Sequence, residues 1–419
     1  MTTRRLGTAP RSDVPDPPNE FGPRQVRAIA GCYFVASFAA LGLPPYLTVI
    51  LPDLGDPTAR WAGLLYVVPT VFAALGAPLW GRLADRLGHK PLLLRAQIGL
   101  AGSFLLAGAA DSVPLFAAAL ALQGLLGGTY AATNGYLGAA LGDGPGMSKA
   151  LTLMQVAARA ALVMAPITVG ALTPWLPPHR QYLLMALLPL IAAVMLTALP
   201  SPARTDTATT ATRTERAQAP TASTRARHPY RLYAVEFAFV FSTVVSFPYL
   251  VSLLDQRVAG TPTEVLGLLF AVPHLCYLAT AMPLHAVLSR RPRLGVGVGF
   301  ALVALGLAGH GLADSLVGFT AVRLLLGAGL TCGLVSLAVL TAKAARGRRP
   351  GHMFGWMELV SKGGAVASGL VATAANAAWG PMGPMFAGAA AAATAILLLL
   401  AAPLLSRTIL SPTRHRWSI

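Results

Sequence analysis

Gly81-Arg82-Leu83-Ala84-Asp85-Arg86-Leu87-Gly88-His89-Lys90 is a charged stretch between two apolar runs, 61–80 and 91–110. Each run is about the length, near 20 residues, that a helix needs to cross the hydrocarbon core of a bilayer. Two such runs joined by a short charged turn read as a membrane hairpin. Gly81 and Gly88 suit a close helix approach and a tight turn, since glycine has no Cβ to obstruct either.

The same pattern extends in both directions. Further apolar runs occupy 27–50, 114–141, 148–173, 181–199, 231–252, 263–285, 294–312, 316–340, 353–377 and 384–405, for twelve expected spans in an all-α membrane protein. The chain of 419 residues is 55% hydrophobic and only 11% charged, with mean hydropathy +0.62. A soluble domain carries about 25% charged residues, and charge is scarce in lipid because desolvating an ion is costly. Residues 200–230 are rich in Thr, Arg and Pro and cannot bury an apolar core, so they read as a disordered linker. The expected organisation is therefore a tail (1–26), a six-helix bundle (27–199), the linker, a second bundle (231–405) and a tail (406–419).

The net charge of +17 invites a nucleic-acid reading, but position argues against it. Arg60, Arg180 and Arg257 lie in odd-numbered loops and Arg159, Arg323 and Lys362 inside spans. The other 26 of the 32 Lys and Arg are assigned to the tails and the even-numbered loops. This is the positive-inside asymmetry, and it places both termini in the cytoplasm of a multi-pass inner-membrane protein. No nucleic-acid partner, cofactor or metal is expected; three scattered cysteines, Cys32, Cys276 and Cys332, make neither a disulfide framework nor a metal site.

The two bundles also match each other, at an offset of 203 or 204. Pro45-Tyr46-Leu47 pairs with Pro248-Tyr249-Leu250, and Gly63 to Pro69 with Gly267 to Pro273. Gly124 pairs with Gly327, and Met154-Gln155 and Arg159 with Met357-Glu358 and Lys362. Several matches in order argue for duplication. Six helices per copy give parallel repeats related by an axis along the membrane normal, with the ligand site near the midplane between them.

With the duplication in place, residues 81–90 resemble the loop signature of the major facilitator superfamily, with His89 where Arg is usual. The resemblance implies the twelve-helix major facilitator fold and transport by alternating access. It also implies that Asp85, with Gly81, Arg86, Gly88 and Lys90 around it, meets the N-terminus of helix 11 as a conformational latch. A helix N-terminus carries about half a positive charge, so that attraction is sensible. Arg86 and Lys90 also read simply as topology anchors. Ser289 stands where the second copy would carry the acid.

Two further patterns are partial. Leu120 occupies the place of the arginine that exporters often carry in helix 4, whereas helix 10 has Arg323-Leu-Leu-Leu-Gly327. Ala165-Pro166-Ile-Thr-Val-Gly170 partly matches the helix 5 pattern of drug:proton antiporters. Both favour export over import.

Ionisable residues inside a membrane are functional candidates. Arg159, with Gln155 one turn earlier, and its counterpart Lys362 are candidate substrate contacts, together with Arg323. Glu358, Glu236 and His274 are candidate proton carriers. Competing readings stay open: Glu358 and Lys362 at i and i+4 as a self-neutralising pair, Arg323 as a helix brace, and His274 as a packed core residue. The expected function is proton-coupled efflux of a small organic compound by a monomer. The buried cations favour an anionic substrate, and helix 11 is similar to that of carboxylate siderophore exporters. A broad lipophilic drug pump and a metabolite importer are the alternatives. No nucleophile triad, carboxylate pair or phosphate loop suggests an enzyme.

Overall fold

Glycine and proline, more than polarity, decide where these apolar helices start, bend and stop. The computed structural model describes residues 22–141, 145–200, 230–345 and 350–408, and every span in it is helical. The first half contains α1 (Pro23–Leu54), α2 (Ala62–Leu87), α3 (His89–Ala109), α4 (Val113–Gly127, continued by Thr129–Leu141), α5 (Pro145–Leu172) and α6 (Pro178–Thr197). The second half contains α7 (Tyr230–Arg257), α8 (Thr263–Leu288), α9 (Pro292–Gly309), α10 (Leu316–Ala345), α11 (Pro350–Trp379) and α12 (Gly383–Thr408). By hydropathy the stretch from Trp356 to Leu400 reads as one apolar span of 45 residues. It is nevertheless two helices, divided by the turn Gly380–Met382, in which Gly380 takes φ +64, a left-handed conformation that glycine adopts without strain. Twelve helices result, as the sequence leads one to expect.

The two halves break at matching places. α1 passes through a 3-10 turn at Pro44–Tyr46, and α7 through one at Phe247–Tyr249. In both, proline removes a backbone donor and loosens the helix just before the conserved-offset tyrosine. Within each half the same helices pair: α1 with α5 and α2 with α4, then α7 with α11 and α8 with α10. The halves meet along α5–α8 and α2–α11. Residues 1–21, 201–229 and 409–419, which hold most of both tails and of the expected linker, lie outside the described residues.

Proline and glycine also explain how α2 and α4 lock. Pro69 lies inside α2, and a Cβ on Gly124 of α4 would collide with the Pro69 carbonyl. The second half repeats this, with Gly327 of α10 against Pro273 of α8 (2.9 Å to Cα for a built Cβ). There Arg323, one turn before Gly327 and fully buried, adds a brace. A proline cannot donate to the carbonyl four residues back, so Pro273 strands the Leu269 carbonyl. The Arg323 Nε donates to Leu269 O and its Nη2 to Phe270 O, both at 2.8 Å. Freed backbone groups in a span must find such partners.

One cation counted with the loops above belongs to a span. Arg95, which falls within the 91–110 run, lies inside α3, with its guanidinium 3.3 Å from the centroid of the Trp80 ring. An arginine can sit this deep because an indole face attracts it. Gly88 takes φ +95, as the expected tight turn requires. Among the described residues, a Cβ on Gly81 would meet nothing within 4 Å.

These contacts predict contrasting outcomes for two glycines. Gly124→Ala should lower thermal stability by roughly 1–3 kcal/mol or prevent accumulation, since overpacking costs about that much. Gly81→Ala should leave the melting temperature unchanged. Size-exclusion and thermal-shift measurements on both variants check this; equal stability of Gly124→Ala and the parent would contradict the packing account.

Candidate functional site between the halves

At one end of the bundle, where α1 finishes and α2 begins, the halves are in direct backbone contact. A Cβ on Gly63 of α2 would lie 2.6 Å from the Gly369 carbonyl of α11. On the other flank, Gly170 of α5 packs on Thr263 and Glu264 at the start of α8, and Gly267 of α8 packs on Pro166 of α5. The Pro166 to Gly170 segment is thus the surface that α5 offers to α8.

Two tyrosines related by the repeat stitch this end together. Tyr46 donates from its hydroxyl to Pro166 O at 2.6 Å, with Thr263 O of the other half at 3.4 Å. Tyr249 donates to Arg60 O of the other half at 3.0 Å and accepts from the Gly63 N–H at 3.2 Å. Both tyrosines are fully buried. Their repeat is visible in the sequence, but their role depends on contacts with the opposite half.

Halfway along α5, facing α8, sits Arg159. Its Nη1 lies 3.5 Å from Nδ1 of His274, and its guanidinium carbon lies 5.0 Å from the centroid of the Tyr277 ring. Arg159 as a residue is intermediate in exposure, while His274 is buried. Guanidinium always donates, so His274 accepts at Nδ1 and carries its proton on Nε2. Phe247 and Phe270 stand against the His274 ring, at 5.8 and 6.2 Å between centroids. Among the described residues no carboxylate lies within ion-pair distance of Arg159; the ion pair found is Lys362 to Glu358, at 3.4 Å.

That pair belongs to a second cluster. Lys362 and Glu358 are half-exposed on one face of α11. Glu236 of α7 accepts a hydrogen bond from Ser361, the residue before Lys362, and feels the charge of Glu358. The structure thus brings together Glu236, Glu358 and Lys362. It does not bring Lys362 to Arg159, because α11 packs on α7 and α2 while α5 packs on α1 and α8. Gln155 is exposed one turn from Arg159. Arg323, buried behind α8, spends two of its donors on backbone carbonyls.

In the 81–90 segment, Lys90 donates to Thr197 O at 3.1 Å and to Leu199 O, fastening the end of α6. Arg86 is exposed near the end of α2. The Asp85 side chain and the first side chains of α11 lie outside the described residues. Sequence reasoning missed Tyr277 and Ser361. Each lies three residues after, or one before, a flagged ionisable residue, but an aromatic or hydroxyl neighbour becomes informative only once helix faces are assigned.

Comparison with known proteins agrees with this architecture. The family profile described as Major Facilitator Superfamily matches residues 29–266. Multidrug resistance protein MdtG of Yersinia enterocolitica is 37% identical over 102 residues, which is 23% of this chain and 24% of that protein. MdtG of Salmonella arizonae matches at 37% over 102 residues, 25% of its length. The matched segment is thus about a quarter of these relatives. Among solved structures, nucleoside transporter NupG superposes with TM-score 0.72 at 14% identity, covering 90% of this chain and 98% of that one. A POT family transporter in complex with 5-aminolevulinic acid gives 0.71 at 11%, covering 93% and 97%. Human organic anion transporter MFSD10 gives 0.62 at 20%, covering 92% and 100%. With twelve helices in two equivalent halves and a profile match across more than half its length, this multi-pass membrane protein belongs to the major facilitator superfamily.

Proposed function

We propose that the chain is a proton-coupled exporter of small organic anions, working by alternating access in the inner membrane as a monomer. The observation that supports this most is Arg159: a guanidinium halfway along α5, where that helix meets α8 of the other half, with no acid beside it among the described residues. A lone cation at that depth is costly, and a substrate carboxylate is the natural counterion, since guanidinium binds it through two parallel hydrogen bonds. His274 acts here as the group that holds Arg159, because its Nδ1 is already engaged by that guanidinium.

Sidedness follows from the basic loops, which put the α1 start in the cytoplasm. The end closed by Tyr46, Tyr249 and the glycine contacts then faces outward, and the Gly81 end faces the cytoplasm. We read this as the cytoplasm-open state, in which an exporter loads. Asp85 would serve in the opposite state, when the Gly81 end closes on α11. The resemblance of a quarter of the chain to multidrug resistance proteins keeps lipophilic drug efflux as the second reading.

The proton would enter at the Glu236–Glu358–Lys362 cluster. Two carboxylates and one ammonium leave one acid in excess, and a single proton neutralises it. Removing that excess with Glu236→Gln or Glu358→Gln should abolish pH-driven accumulation in everted vesicles while substrate binding persists. Retention of pH-driven accumulation by both variants would contradict the assignment.

Binding titrations with a matched acid and methyl ester test the anion site. Arg159→Lys should weaken acid binding about tenfold and Arg159→Gln by about a hundredfold, in line with about 1.5–3 kcal/mol for a hydrogen bond to a charged group. Ester binding should change little. Equal loss for acid and ester would reduce Arg159 to a brace and favour drug efflux.

The outer closure depends on hydrogen bonds worth about 1 kcal/mol each. Tyr46→Phe with Tyr249→Phe should therefore shift the population toward the outward-open state by roughly tenfold or more. Spin labels at Asp53 and Asp255, exposed at the ends of α1 and α7, report the distance across this end. A distribution unchanged from the parent would refute the role of the tyrosine pair.

A further inference from the structure

Comparing the two halves groove by groove reveals one place where they differ in occupancy. In the first half, the groove between α2 and α4 is filled by the chain itself. The Trp80 indole lies in it, its Nε1–H donating to the Leu125 carbonyl at 2.6 Å, beside Gly76 and beneath Arg95 of α3. At the repeat offset, Trp80 becomes Leu284, Leu125 becomes Ala328 and Gly76 becomes Thr280. The corresponding groove between α8 and α10 is open, with a volume of about 430 Å³. Its walls are Cys276, Thr280, Pro283, Leu284, Val287 and Ala328, and its surface is almost wholly apolar.

Walls this apolar on two membrane-spanning helices suit lipid rather than water. Met282 of α8, next to Pro283 and 83% exposed, is large and apolar, which suits contact with lipid. From Cys276 to Val287 the groove runs about 16 Å at 1.5 Å per residue, close to the half-thickness of a hydrocarbon core of about 30 Å. At its lower end α8 stops at Leu288, and three exposed arginines follow at once: Arg290, Arg291 and Arg293. Lys343 of α10 donates to Ser289 O at 3.0 Å, holding the two helices together beneath the groove.

We propose that this groove seats an acyl chain of an anionic phospholipid from the leaflet on the termini side, with the headgroup held by Arg290, Arg291 and Arg293. The lipid does for the second half what Trp80 does for the first. Basic residues at a membrane surface attract anionic headgroups, and each contributes roughly a fivefold gain in affinity.

Native mass spectrometry of the full chain, titrated in detergent with dioleoyl-phosphatidylglycerol or dioleoyl-phosphatidylcholine, tests the assignment. The parent should retain phosphatidylglycerol at least roughly tenfold better than phosphatidylcholine. Leu284→Trp, which installs the indole of the first half, should lose the retained lipid while melting no lower than the parent. Ala328→Phe closes the groove from α10 and gives the same readout should Leu284→Trp fail to fold. Replacing the three arginines by Gln should abolish the preference for phosphatidylglycerol. Equal retention of the two lipids by the parent, or undiminished phosphatidylglycerol in the folded groove-filled variants, would overturn the proposal.

Discussion

The architecture depends on backbone contact between the two halves, which among the described residues gathers where α1 finishes and α2 begins. Gly63 against Gly369, Gly170 against Thr263 and Gly267 against Pro166 leave no room for side chains. Lipid supplies no hydrophobic drive for helix association, so close packing and hydrogen bonds must hold helices together. Glycine allows the first, and Tyr46 and Tyr249 supply the second.

Duplication gives this contact its symmetry, and departures from symmetry carry the chemistry. Gly124 on Pro69 and Gly327 on Pro273 are the same joint made twice. Arg323 appears in one copy only, where Leu120 stands in the other. Arg159 and Lys362 occupy equivalent places, yet one faces His274 and Tyr277 and the other pairs with Glu358. One half therefore offers an unpaired cation and the other an acid-rich cluster, an arrangement suited to moving an anion and a proton.

Much of the fold was legible in the sequence because a span announces itself by length and apolarity alone. Residues 61–80, 81–90 and 91–110 read as helix, turn and helix, and Gly88 makes that turn. The site was legible only as a set of buried charges. Which charges meet depends on helix faces and on which helices cross between halves. Arg323 read as a substrate contact but is spent on the Leu269 and Phe270 carbonyls, because a proline four residues on had stranded the first of them. Arg95 was counted with the loop cations although it falls within the 91–110 run, and nothing local indicates that Trp80 stacks on it from the preceding helix.

The central claim is that an organic anion crosses at Arg159 in exchange for protons entering at Glu236 and Glu358. Flux into proteoliposomes under an imposed pH gradient tests it most directly, using a panel of small carboxylates with their methyl esters. The account predicts that at least one acid accumulates against its own gradient, that dissipating the pH gradient stops it, and that its ester does not accumulate. Esters accumulating as well as acids, or acid accumulation indifferent to the pH gradient, would contradict it.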